Sequence, residues 1–137
     1  MALVVGFSSS QLIQTIDFSI KKEIPKDMQV IINDCELLGL SDTAKCLVSN
    51  VKSFFIYQKT NDAIDLNFSE LKLNGGDCKD YSELYKELGD NLGFDTEYVD
   101  ITIEGNKAHR FVILSNEEGY CVLDQVNKPI CFVYKNE

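Results

Sequence analysis

Cys78, His109 and Asp124 have side-chain types and an order along the chain suited to nucleophilic chemistry, and His109 is the single histidine. Cys78 lies in Gly75-Gly76-Asp77-Cys78-Lys79-Asp80-Tyr81-Ser82. A Gly-Gly turn runs into a capping Asp, which sets the cysteine at the first position of a helix. A helix N-terminus favours a thiolate through its positive dipole end and its free N–H groups. A nearby imidazole stabilises the thiolate further, and a carboxylate fixes the imidazole tautomer. Such a thiolate attacks a carbonyl, and the imidazolium protonates the leaving amine. The thioester that remains is resolved by water or by another amine. The Cys78 N–H is placed to donate to the oxyanion. Asp77 and Asp80 oppose the thiolate unless capping takes up their charge.

Positioning these three residues falls to one helix and a run of strands. Cys78, Tyr81, Tyr85, Leu88 and Leu92 recur at spacings of three and four, so Cys78 heads a buried stripe that Gly93 ends. The stretches Thr96–Ile103, Ala108–Leu114, Gly119–Gln125 and Ile130–Tyr134 are β-branched and aromatic, separated by polar turns. Their close spacing favours an antiparallel meander. With Leu114 opposite Gly119 across a loop of Ser115-Asn116-Glu117-Glu118, the constant sum of paired residue numbers sets His109 directly opposite Asp124. Their Cβ atoms are then expected about 4.5–5.5 Å apart on one face, with the carboxylate holding Nδ1–H. An odd loop would put Asp124 on the wrong face.

Ahead of these elements, Met28, Ile31, Ile32, Cys35 and Leu38 follow helical spacing between Pro25 and Gly39. A second helix is expected from Ser41-Asp42, with Ala44, Leu47, Val48, Val51, Phe54 and Phe55 as its stripe. Ile16, Phe18 and Ile20 alternate with polar residues as in a short strand, and residues 59–74 read as a connection. Three helices followed by a meander give an α+β class, with the Cys78 helix on one sheet face. At 137 residues the chain has room for a single domain, with 1–41 as an N-terminal extension and helix and 42–134 as the core.

Each feature also has a plain structural reading. Cysteine is among the most buried residue types, and Cys35, Cys46, Cys121 and Cys131 read as core. A lone histidine, a turn-starting Asp124 and a Gly-Gly-Asp cap are each commonly structural; the ordered set carries the catalytic reading. Zn²⁺ could use Cys78, His109 and the nearby Asp residues, but no short-spaced ligand pair supports it. No cofactor is expected. A net charge of −9 argues against nucleic acid or an anionic membrane as partner. Five cysteines, an odd number with no C-x-x-C, favour reduced thiols and a cytoplasmic setting. Ala2–Phe7 is apolar but too short for a signal-peptide core or a membrane span. Nothing in the sequence sets an oligomeric state.

At Gly76-Asp77-Cys78-Lys79-Asp80-Tyr81-Ser82, Leu84, Leu88, Gly93-Phe94, Tyr98-Val99, His109 and Leu123-Asp124, the chain resembles the transglutaminase-like superfamily, a papain-related fold. The likeness spans residues 42–134. Its form, with Val122-Leu123-Asp124, is more similar to bacterial transglutaminase-like cysteine peptidases than to the calcium-dependent cross-linking enzymes. The resemblance implies Cys78 as nucleophile, His109 as general base and acid, and Asp124 as its orienter. It implies action on amide bonds of a peptide, protein or isopeptide substrate, hydrolysis ahead of transfer. Calcium is not implied, since no EF-hand-like loop is present. Three features depart from the family: Arg110-Phe111 after His109, Gln125 after Asp124, and the absence of Trp. The first two, together with the chain's small size and the lack of a recognisable substrate domain, motivate an alternative, a catalytically silent interaction domain on the same fold.

Overall fold

The computed structural model describes residues 24–54, 75–105 and 107–135. Helix α1 (Lys26–Cys35) turns Met28, Ile31, Ile32 and Cys35 inward, four of the five residues of the expected stripe; Leu38, the fifth, lies beyond the helix and is exposed. The helix stops at Cys35, short of Gly39. Glu36 is extended, and Leu37 takes a φ of 64° with its side chain fully exposed, which reverses the chain. Gly39 instead precedes α2 (Leu40–Phe54), where its carbonyl accepts from the Thr43 N–H and hydroxyl, both at 2.8 Å. Leu40, Thr43, Ala44, Leu47, Val48 and Val51 form the buried face of α2. The expected strand around Ile16–Ile20, Phe55 and the 59–74 connection lie outside the described residues.

Helix α3 (Cys78–Asn91) begins where the sequence places it. The Asp77 carboxylate accepts the N–H groups of Lys79 at 3.0 Å and Asp80 at 3.4 Å, and Asp80 accepts the Asp77 N–H at 3.0 Å. This reciprocal capping box satisfies donors that a helix start leaves without intrahelical partners. At the other end Gly93 has a φ of 87°, its N–H bonds to the Asp90 carbonyl, and the Phe94 N–H reaches back to Gly89. That pair of bonds is the Schellman arrangement, which needs the left-handed conformation glycine supplies.

Four strands follow: β1 (Asp95–Ile103), β2 (Lys107–Asn116), β3 (Gly119–Leu123) and β4 (Ile130–Val133). They form an antiparallel sheet in the order β1-β2-β3-β4, the expected meander. Val112 and Leu114 of β2, with Cys121 and Leu123 of β3, supply the sheet's fully buried side chains. α3 packs on β1 and β2, α2 on β3 and β2, and α1 against α2 and α3. The domain is α+β, as the sequence implies. No helix among the described residues is long and apolar enough to cross a membrane.

The cysteines correct one expectation. Cys35 is bonded to Cys46, tying α1 to α2, and Cys121 to Cys131, its direct partner across β3 and β4. The odd count is therefore two disulfides and one free thiol, Cys78. Helix packing and strand register bring these pairs together, and neither can be read from cysteine spacing. Disulfides persist in oxidising compartments, so the cysteine count no longer argues for reduced thiols or a cytoplasmic setting.

Candidate active site

The β2–β3 hairpin sets the geometry of the candidate site. Its register differs from the expected one. Asn116, not Leu114, stands opposite Gly119, and Leu114 faces Cys121. The loop is Glu117-Glu118, closed by the Asn116 side chain, which accepts the Glu118 N–H at 2.8 Å. Asparagine makes this turn through its own side chain, two residues back from the donor. The slip is by two residues, so side-chain parity is kept. Pairing ends at Val112–Leu123, and one further step would set Asp124 across from Phe111, diagonal to His109. Diagonal neighbours remain within reach of long side chains.

His109 Nε2 and an Asp124 carboxylate oxygen lie 2.9 Å apart, with the two side chains 20% and 30% exposed. The expected pair is formed, but through Nε2 and not Nδ1. An ionised Asp124 accepts from Nε2–H, so the neutral imidazole carries its lone pair on Nδ1. The Phe111 ring lies beside the imidazole, with centroids 6.3 Å apart.

Cys78 is partly exposed at the first position of α3. Asp77 takes up the next two N–H groups of the helix, while the Cys78 N–H enters no hydrogen bond among the described residues. One turn further on, the buried Ser82 donates its hydroxyl to the Arg110 carbonyl at 3.1 Å. This ties the start of α3 to β2 at the residue next to His109. No hydrogen bond joins Cys78 to His109 among the described residues.

Two of the three departures in sequence, Arg110 and Gln125, have structural partners. Arg110 alternates away from His109, forks onto Asp100 at 2.8 and 3.2 Å, and lies 4.8 Å from the Tyr98 ring centroid. The hydrogen bond from Arg110 holds the exposed Asp100 carboxyl below its ordinary range. Gln125 has a φ of 55°, uncommon for a residue other than glycine, and its carbonyl accepts from the buried Tyr85 hydroxyl. Burial, followed by the charges of Tyr81 and Asp124, pushes the Tyr85 phenol far up, so it remains a donor. Asp80 is also raised, chiefly by burial and further by Asp77, against the opposing hydrogen bond from the Asp77 backbone.

Asp34, Cys35 and Cys46 bring potential metal-ligand atoms within 4.8 Å of one another. Both sulfurs there are joined in the disulfide, and a cation would need them as free thiolates. The sequence places Tyr85 in the buried stripe and Ser82 beside Cys78, but does not show that either reaches the backbone next to His109 or Asp124. Their signal was present: four and seven residues after Cys78, on the same helix face. Fold and site define an α+β domain that pairs a histidine with an aspartate and carries one free thiol at a helix start. No family model matches the chain, and no curated protein matches it.

Proposed function

We propose that the protein is a cysteine-nucleophile enzyme of transglutaminase-like type, acting on amide bonds of a peptide or isopeptide substrate. The observation that carries this reading is the His109–Asp124 pair at 2.9 Å, which leaves Nδ1 as the basic nitrogen. In the reaction, Nδ1 takes the Cys78 thiol proton and the thiolate attacks the carbonyl carbon. Asp124 stabilises the imidazolium, and the Cys78 N–H donates to the oxyanion. The imidazolium then protonates the departing amine, leaving a thioester on Cys78. Water, activated by the same imidazole, releases the acid and restores the thiol. Hydrolysis is favoured over transfer by the resemblance to the peptidase branch.

The test is a peptide and isopeptide library followed by mass spectrometry. Cleavage that vanishes in Cys78→Ala, with folding intact, is the expected result. Wild-type protein that cleaves nothing, or cleavage that persists without Cys78, would reject the reading.

A second reading, a silent interaction domain, draws on the exposed apolar side chains Ile130, Phe132, Val133 and Tyr134 at the β4 edge. It is favoured if a partner binds wild type and Cys78→Ala alike and neither turns over substrate.

A further inference from the structure

The face of α3 that begins at Cys78 continues through Ser82 and Tyr85, at the four- and seven-residue spacing that aligns helical side chains. Both are buried, Ser82 at 2% and Tyr85 at 0% exposure. Each gives one hydrogen bond to a main-chain carbonyl outside the helix. Ser82 reaches Arg110, the residue after His109, and Tyr85 reaches Gln125, the residue after Asp124. One helix face therefore grips the backbone beside both members of the His109–Asp124 pair.

The Ser82 contact falls on β2, at a residue already paired with Asp100 of β1, whereas the Tyr85 contact lies past the end of β3, where the strand ladder defines the chain no further. Asp124 is past the last paired residue of β3, so ladder hydrogen bonds do not hold it. The turn that carries it is closed by the Asn127 N–H on the Asp124 carbonyl at 3.1 Å. Gln125 stands in the left-handed region, where a side chain costs about 1 kcal/mol or more unless the surroundings impose it. The Tyr85 hydroxyl bonds to this residue from outside the turn.

We infer that Ser82 and Tyr85 are positioning residues, which register the Cys78 helix against the His strand and the Asp turn and so set the tautomer and aim of His109. The inference rests on the catalytic reading for its consequence in turnover. For the geometry of the His109–Asp124 pair it stands independently.

The chain's single histidine gives a direct readout. Long-range 1H–15N spectra of the full chain report which imidazole nitrogen carries the proton. In wild type, Nε2–H is expected to dominate. Tyr85→Phe keeps the ring and removes the hydroxyl; it should yield a mixture of tautomers, the outcome also expected of Asp124→Asn. Leu88→Val, a core deletion on the same helix, should lower the Tm and leave the tautomer unchanged. That contrast separates positioning from mere stability. If Tyr85→Phe does not fold, Ser82→Ala decides the matter in the same spectrum.

A folded Tyr85→Phe or Ser82→Ala with the wild-type tautomer overturns the assignment. Where wild type cleaves substrate, turnover in Tyr85→Phe should fall by up to about a hundredfold, since a misplacement of order 1 Å suffices for that. A tautomer change in a protein that cleaves nothing keeps the positioning role and rejects the enzymatic reading.

Discussion

At the scale of single residues, the His109–Asp124 pair and the Cys78 thiol make separable predictions. Asp124→Asn keeps the size of the side chain but removes the charge that favours the imidazolium, and its amide can donate as well as accept, so it no longer selects Nε2–H alone. We expect a folded protein with a Tm close to wild type and turnover reduced about a hundredfold or more, the range of lost acid–base catalysis. Unchanged kcat/KM would leave Asp124 as a turn residue only. Alkylation under non-reducing conditions should modify one site, Cys78, because the other four cysteines are paired. Its rate at neutral pH should exceed that of a simple cysteine peptide, and His109→Ala should abolish the excess. A rate equal to the peptide's in wild type removes the activated thiol. The pairing of His109 with Asp124 was legible because an error of two residues in register preserves which face a side chain occupies. The nitrogen that makes the contact was not legible, since it depends on the diagonal offset set by the Asn116 turn.

At the scale of elements, the start of α3 couples capping to pH. Asp80 is raised from its ordinary value, chiefly because burial disfavours its charge. An acid raised in the folded state contributes stability that is full below its unfolded pKa and is lost as the pH rises through its folded pKa. Asp80→Asn retains an acceptor for the Asp77 N–H and has no proton to lose. The Tm of this variant minus that of wild type should therefore be more positive at pH 7 than at pH 4; a difference constant across that window would dismiss the coupling. Midway along α3, Gly89 permits close contact with the sheet. A Cβ there would lie 2.6 Å from Thr96 Cγ2 and 2.8 Å from Leu114 Cδ1. Gly89→Ala should gain about 1 kcal/mol in helix propensity and lose more to overpacking, for a net loss of about 1–2 kcal/mol in denaturant unfolding. A net gain would show that α3 can shift away from β1 and β2. The start of α3 was readable because Gly75-Gly76-Asp77 and Asp80 act within one turn. The end of α1 was not, because Leu37, a residue that seldom takes positive φ, makes the reversal where Gly39 is the obvious candidate.

At the scale of the whole molecule, the apolar patterning and strand spacing sufficed for the α+β class and the meander. The covalent links did not show, because they join residues brought together by packing. The Cys35–Cys46 bond ties the α1–α2 pair that covers part of the core, and Cys121–Cys131 closes the β3–β4 segment containing Asp124 and Gln125. The cysteines are 11 and 10 residues apart, so loop-closure entropy gives each bond a nominal stabilisation of about 3 kcal/mol. Reduction should raise the number of alkylated cysteines in the denatured chain from one to five and lower the Tm. The two bonds should differ in their effect on the site. Replacing Cys35 and Cys46 with Ala should reduce stability while leaving the His109 tautomer intact, since that bond lies in the helical layer. Replacing Cys121 and Cys131 with Ala frees the ends of the segment that presents Asp124, and should yield mixed tautomers even at temperatures well below the Tm. The imidazole spectrum of the two double variants, recorded where both are folded, is the deciding measurement. Equal tautomer populations in both would mean that the hydrogen bonds from α3 hold Asp124 without help from the disulfide.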